Sequence, residues 1–276
     1  MKSFKLLVVA LLSVMAFVSC EILEDLMGGD NHLNDTIERV RLIELYNSTN
    51  GDSWVDNTNW CSEEPLNEWY GIKTDKSGNV TSINLSNNNL TGEANVNFYD
   101  FQSLTSFNID YNKIERLSVR GNDNIADLQL TDCAVESINF ENFKSVTISC
   151  EALSSLSGEC DVLNVSNCDF GENTTPFSGI TVNDATIYNC KMHSCGLYSD
   201  ILVFKESSTY DTWYCVTTSR LEIINSHCST ICAWDFNEDT DIILDNATLW
   251  RSNWDEESLV TISRSIKGKD WDGLFY

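Results

Sequence analysis

From residue 80 onward the chain alternates apolar and polar positions in short runs. In "VTSINLSNNNLTG" the apolar residues are Val80, Ile83, Leu85 and Leu90, with Asn88 among them; in "LTSFNIDYNKI" they are Leu104, Phe107, Ile109 and Ile114, with Asn112. The core of each unit is a pair of apolar residues separated by one polar residue. Such pairs recur as Ile83/Leu85, Phe107/Ile109, Leu117/Val119, Leu128/Leu130, Ile138/Phe140 and Ile148/Cys150, with successive starts after the first pair 10, 11, 10 and 10 residues apart. Further along the pairs Leu163/Val165, Ala185/Ile187, Cys195/Leu197, Trp213/Cys215, Leu221/Ile223, Ile231/Ala233 and Ile242/Leu244 return at looser spacing. The irregular stretch between 150 and 220 predicts bulges or longer loops.

Alternation at period two places both members of a pair on one side of a short strand and sends the intervening residue to solvent. One coil cannot bury such a face alone. Coils therefore stack in parallel, about 4.8 Å apart, around a shared core. Two half-units make a coil of about 21 residues, and residues 80–265 would form about nine coils in a rod roughly 40 Å long. The predicted fold is a mainly β solenoid of stacked parallel short strands.

A stack of this kind needs covered ends. Ahead of the repeats, Asp35 and Glu38 predict a helix start, and Ile37, Val40, Leu42, Ile43, Leu45 and Tyr46 form its apolar stripe. Trp54, Trp60 and Trp69 add large apolar area over the first coil, although an aromatic cluster can also serve as a glycan platform. At the far end Trp250, Trp254 and Trp271, with Leu274 and Phe275, are positioned to close the stack.

The segment from Leu42 to Gly92 resembles the N-terminal cap and first repeat of leucine-rich-repeat proteins of the plant-receptor type, which also occur in bacterial surface proteins. The residues that match are Leu42, Tyr46, Gly51, Trp54, Trp60, Trp69, Gly71 and Val80. Plant versions carry a cysteine pair in this region; Leu66 and Thr74 stand at those positions here, so the resemblance implies no such disulfide. The half-units resemble the 21-residue repeats of bacterial surface lipoproteins. The resemblance implies a leucine-rich-repeat solenoid with a small helical N-terminal cap.

The N-terminus adds an address. Lys2 and Lys5 precede an apolar run of 13 residues, Leu6 to Val18, broken by Ser13, and Ser19 stands before Cys20. A basic start, a short apolar core and a small residue describe a secretory signal, and the run is shorter than the roughly 20 residues of a membrane-spanning helix. "AFVSC" resembles the cleavage box of bacterial lipoproteins, which implies lipidation of Cys20; the other reading is a plain secretory peptide cut near Ser19. The organisation that follows is a lipoprotein signal peptide at 1–19, an acidic tether at 20–34, a cap at 35–79, the solenoid at 80–249 and a second cap at 250–276. The expected location is the outer membrane, lipid-anchored and facing outward, with no membrane contact other than the lipid on Cys20.

Removing the leader removes two lysines and no acid, so 15 basic and 42 acidic residues remain, a net charge of −27. That surface repels phosphate and argues against a nucleic acid partner. Of 11 cysteines, Cys133, Cys168 and Cys190 fall where Asn88 and Asn112 sit, and Cys150, Cys195 and Cys215 fall in apolar slots. All six should point inward as small hydrophobes, mostly unpaired, with disulfides left open for the irregular stretch and for "HCSTIC".

Signs of catalysis are missing. The chain has 3 histidines, His32, His193 and His227, and lacks a nucleophile elbow, a P-loop, a dinucleotide fingerprint and a metalloprotease helix motif. Cys190, His193 and Cys195 with His227, Cys228 and Cys232 have zinc-type donors but no finger spacing, so buried thiols are the favoured reading and no metal or cofactor is expected. Carboxylates such as Asp255 and Glu257 are read as solvated surface. What remains is a rigid face that loses little entropy on docking. Asn84, Asn108, Asp110, Tyr111, Gln129, Asp132, Thr186 and Tyr188 are the candidate ligand-binding residues on it. The sequence thus predicts a non-enzymatic module that binds a host or bacterial protein, with an accessory glycan-binding lipoprotein as the alternative and a zinc or cysteine enzyme behind both.

Overall fold

The structure is a computed structural model that describes residues 30–267 apart from 123, 152, 172–175, 195, 210–211, 229, 234–238 and 254–255. The leader, Cys20, most of the tether, and the terminal residues Trp254, Trp271, Leu274 and Phe275 lie outside the described residues, as does Cys195.

The described residues open with helix α1 (Asp30–Ser48). Strands β1 (Ile72–Thr74), β2 (Val80–Asn84), β3 (Thr91–Asn97), β4 (Ser106–Asn108), β5 (Lys113–Arg120), β6 (Asp127–Thr131), β7 (Ser137–Ser149) and β8 (Ser155–Ser166) follow. After them come β9 (Phe177–Tyr188), β10 (Lys191–Met192), β11 (Gly196–Lys205), β12 (Ser208–Thr209), β13 (Thr212–Ile224), β14 (His227–Cys228), β15 (Thr230–Ala233), β16 (Asp241–Asn253) and β17 (Glu256–Lys267). The result is a parallel β-solenoid of about seven turns with coils of about 20 residues. Coil length agrees with the sequence reading; the turn count is lower than the nine expected. Strands β1, β2 and β4 form a separate small sheet beside the cap, and β17 pairs antiparallel with β16 instead of adding a parallel coil.

Two strand walls enclose the core. On the first, Ile83 stacks on Phe107, and Leu128 and Leu130 stack on Val146 and Ile148, then on Leu163 and Val165, then on Ala185 and Ile187. Leu202/Phe204, Leu221/Ile223 and Ile242/Leu244 continue the column. On the second wall Ala94/Val96, Leu117/Val119 and Ile138/Phe140 lead to Leu156/Gly158, and then to Phe177 and Ile180. Most of these side chains are fully buried. From β7 onward a single strand carries both walls, with a register shift where it turns from one to the other.

Two pair assignments change. Ile148 pairs with Val146, not with Cys150, because the partners of Leu128 and Leu130 fix the phase. Leu197 likewise lies opposite Ile180, with Ser199 as its inward companion, whereas Cys195 lies outside the described residues. Among the described residues between 150 and 220 the strands therefore stack in register with bulges.

A corner closes each coil after the first wall. There the chain places one small or amide residue inward: Asn88, Asn112, Cys133, Cys150, Cys168, Cys190, Ser207, Ser226 and Ala247. In most coils the preceding residue has a positive φ, as at Asn87, Tyr111, Asp132, Asn167, Asn189, Glu206, Asn225 and Asn246. Asparagine and aspartate tolerate that left-handed turn better than other side-chain-bearing residues, which explains their frequency there. Exposed amides then bond from coil to coil, Asn189 Nδ2 donating to Asn167 Oδ1 at 2.8 Å and Asn246 Nδ2 to Asn225 Oδ1 at 3.0 Å.

The N-terminal cap forms as its apolar stripe predicts, but α1 starts at Asp30, so Asp35 lies within the helix instead of opening it, and the helix extends into the expected tether. Leu42, Leu45 and Tyr46 are buried, while Glu38 Oε2 accepts the Val80 N–H at 2.8 Å and satisfies the start of β2. Tyr46, Trp54, Trp60 and Trp69 form one ring cluster with neighbouring centroids 4.8–6.0 Å apart. Each indole N–H is matched by a backbone oxygen, of Thr49, Tyr70 and Glu64 respectively. No described helix is long and apolar enough to cross a membrane. At the other end β16 spans the expected domain boundary at Trp250, and the hairpin it forms with β17 provides the closure in the described residues.

Candidate functional site

The candidate binding residues occupy two separate parts of the first wall. Asn84 and Asn108 are direct neighbours across β2 and β4. Gln129 stands at the centre of β6 and is exposed. Thr186 and Tyr188 lie in β9, separated from Gln129 by the rows of β7 and β8. The residues bridging that gap were not picked out from the sequence: Thr147 opposite Gln129, then Asn164 opposite both Thr147 and Thr186. Asn164 Nδ2 reaches Thr147 Oγ1 at 3.5 Å. Asn164 lies between Leu163 and Val165, a pair the alternation already marks, and Thr147 lies between Val146 and Ile148, since an outward position sits between every inward pair.

Tyr111 and Asp132 are not strand positions. Both have positive φ, 59° and 51°, and form the outer edge of the corner. Their side chains meet, and the hydrogen bond to Asp132 raises the Tyr111 phenol above its ordinary pKa. Tyr188 makes the equivalent contact with Glu206, again with its pKa raised, and Lys205 Nζ lies 5.8 Å from the Tyr188 ring centroid. Several candidate side chains also serve the fold. Asn84 Oδ1 accepts from Ser86 N at 3.2 Å, Asn108 Oδ1 from Asp110 N at 2.9 Å, and Asp110 Oδ1 from Thr131 N at 2.9 Å. Asn84, Asn108 and Asp110 are therefore held in place by the same bonds that turn the chain.

The inward cysteines form the opposite environment. Cys133, Cys150, Cys168 and Cys190 are buried and occupy consecutive coils. A hydrogen bond with Cys150 and burial raise the Cys133 thiol far above its ordinary pKa; a bond with Cys190 and burial do the same for Cys168. Burial pushes Cys160 up to about 12. Because the thiolate is the nucleophile, such thiols are inert near neutral pH. A maleimide at pH 8 is expected to leave Cys133 and Cys168 unmodified in the folded protein and to label both in denaturant, read by peptide mass spectrometry. Native labelling at either position would show that the corner column is open.

Of the zinc-type residues, Cys190 and Cys228 are buried, His193 is half-buried and His227 is exposed. Among the described residues no group of three His, Cys, Asp or Glu side chains is placed to hold a metal. No protein family, curated protein or solved structure matches the chain.

Proposed function

We propose that the chain is a non-enzymatic recognition module of the leucine-rich-repeat lipoprotein kind, held at the outer membrane by a lipid on Cys20 and binding a protein partner through the first wall. The observation that carries this reading is the outward row through Gln129, Thr147, Asn164 and Thr186, in register across four strands and set on a stack of buried pairs. A backbone already fixed by stacked strands loses little freedom on docking, so a wide polar face of this kind can hold a protein surface. The cap aromatics favour a protein over a glycan on this wall. Trp54, Trp60 and Trp69 are buried and hydrogen-bonded, so they supply no stacking platform.

The test uses the full chain immobilised through its C-terminus, with extracellular proteins and purified polysaccharides offered in parallel. A protein ligand is expected, and a Gln129→Arg/Asn164→Arg double variant is expected to weaken it about tenfold or more while shifting stability by no more than about 0.5 kcal/mol per site. Capture of polysaccharide alone would favour the glycan-binding alternative. Partner binding that ignores both arginines would remove the first wall from the proposal.

A further inference from the structure

Where α1 crosses the beginning of the second wall, a cleft of about 440 Å³ opens beside the exposed ring of Tyr99. Its floor is a row of outward residues in register, Asn95 on β3, Ser118 on β5 and Asn139 on β7. Parallel strands space such residues about 4.8 Å apart along the solenoid axis. The amides and hydroxyl of this row can donate and accept, unlike a charged lining, which does only one.

The charges around the row, three carboxylates and two guanidiniums, nearly balance. On the helix side Arg41 lies 2.8 Å from both Glu44 Oε2 and Asp100 Oδ2. On the other side Arg120 lies 3.6 Å from Glu141, and its guanidinium carbon sits 5.5 Å from the Tyr99 ring centroid. An anionic ligand would meet three carboxylates and a cationic one two guanidiniums, so neither is drawn in by a net field. One acceptor is left over. Asp100 Oδ2 is buried and close to Arg41 Nε, yet accepts no hydrogen bond, because the donor is not aimed at it.

We propose that this cleft binds a short neutral saccharide. Sugar hydroxyls need donors and acceptors in alternation, which the Asn95–Ser118–Asn139 row and the unused Asp100 oxygen supply. The apolar C–H face of a sugar ring needs an apolar surface, and the exposed Tyr99 ring beside the lining residue Arg120 offers one at the rim. The volume falls within the range of small-ligand sites. This site is on the second wall and does not rest on the protein-binding reading of the first, so either can fail alone.

The experiment is calorimetric titration of the full chain with neutral malto-, cello-, xylo- and manno-oligosaccharides, alongside an oligogalacturonate and a lysine tripeptide. At least one neutral oligosaccharide is expected to bind saturably with a Kd below about 1 mM. Ser118→Trp, which sets an indole on the floor, is expected to weaken that binding about tenfold or more, whereas Tyr198→Ser at an exposed position on β11 leaves it unchanged. Should Ser118→Trp fail to fold, Asn139→Ala is the second variant, with the same loss expected. The absence of saturable binding by every neutral probe, a preference for either charged probe, or parental affinity in the folded floor variant would each overturn the proposal.

Discussion

Replacing Asn112 by alanine is expected to lower the unfolding free energy by about 3–5 kcal/mol, seen as a reduced urea midpoint with little change in slope. This side chain is 3% exposed and makes hydrogen bonds in both directions. Its Nδ2 donates to Leu85 O at 2.8 Å and Ile109 O at 2.7 Å, and its Oδ1 accepts from Asn88 N and Leu90 N, both at 3.0 Å. Alanine leaves all four backbone groups buried, and each unsatisfied group costs about 1–3 kcal/mol before relaxation. The neighbouring coil shows what replaces the amide. Cys133 fills the next corner with Sγ 3.5 Å from Thr131 O and 3.8 Å from Ile109 O, weak contacts that match the lower polar demand there. A loss under about 1 kcal/mol would mean that the corner bonds re-form with water.

Gly158→Ala is expected to be the more damaging of two glycine substitutions, costing about 3 kcal/mol or more, or preventing folding. Gly158 has φ +141°, and a Cβ there would lie 2.1 Å from Phe140 O and 2.7 Å from the Phe140 ring. The cause is the register: Gly158 is the direct partner of Phe140 on the second wall, and the wide ring fills the space that two stacked side chains would share. Gly171 offers the comparison, with φ +77° but no atom within 4 Å of a Cβ. Its alanine variant should cost only the backbone strain, about 1 kcal/mol. Thermal melts of the two variants measure the difference. Equal losses would show that conformation, and not the Phe140 contact, sets the cost at Gly158.

The first part of the solenoid was legible because Ile83/Leu85, Phe107/Ile109 and Leu128/Leu130 are each flanked by plainly polar positions. Legibility fails at Val146, Ile148 and Cys150, where three alternating apolar residues allow two phases and only the hydrogen-bonded partner of Leu128 decides between them. Beyond that point the inward slots are filled by Gly158, Ser199, Ser207 and Ser226, residues that carry no hydrophobic signal although the last three are buried. Ser207 N donates to Ser226 Oγ at 3.1 Å, and Cys190 N to Ser207 Oγ at 2.9 Å, so a hydroxyl ladder replaces apolar packing. The candidate face was legible in position but not in extent. Gln129 and Thr186 stand out in the alternation; Asn164 sits as plainly between Leu163 and Val165, and only Thr147 depends on pairing Ile148 with Val146. Tyr111 and Asp132 were assigned to the strand because a left-handed corner leaves no mark in the alternation itself. The cleft at Asn95 was not visible at all, since it depends on how α1 meets a strand distant in sequence.

The reversal of direction between β16 and β17 has a consequence for how copies of this protein can associate. A rod of parallel coils is a template for itself: an open terminal coil would accept the first coil of another molecule in the same polarity, and the contact could repeat into a fibre. Here the leading strand of the next molecule would face a strand running the opposite way, while at the other end Glu38 already holds the Val80 N–H. Among the described residues both growth points are thus mismatched or occupied, which disfavours end-to-end stacking into a fibre.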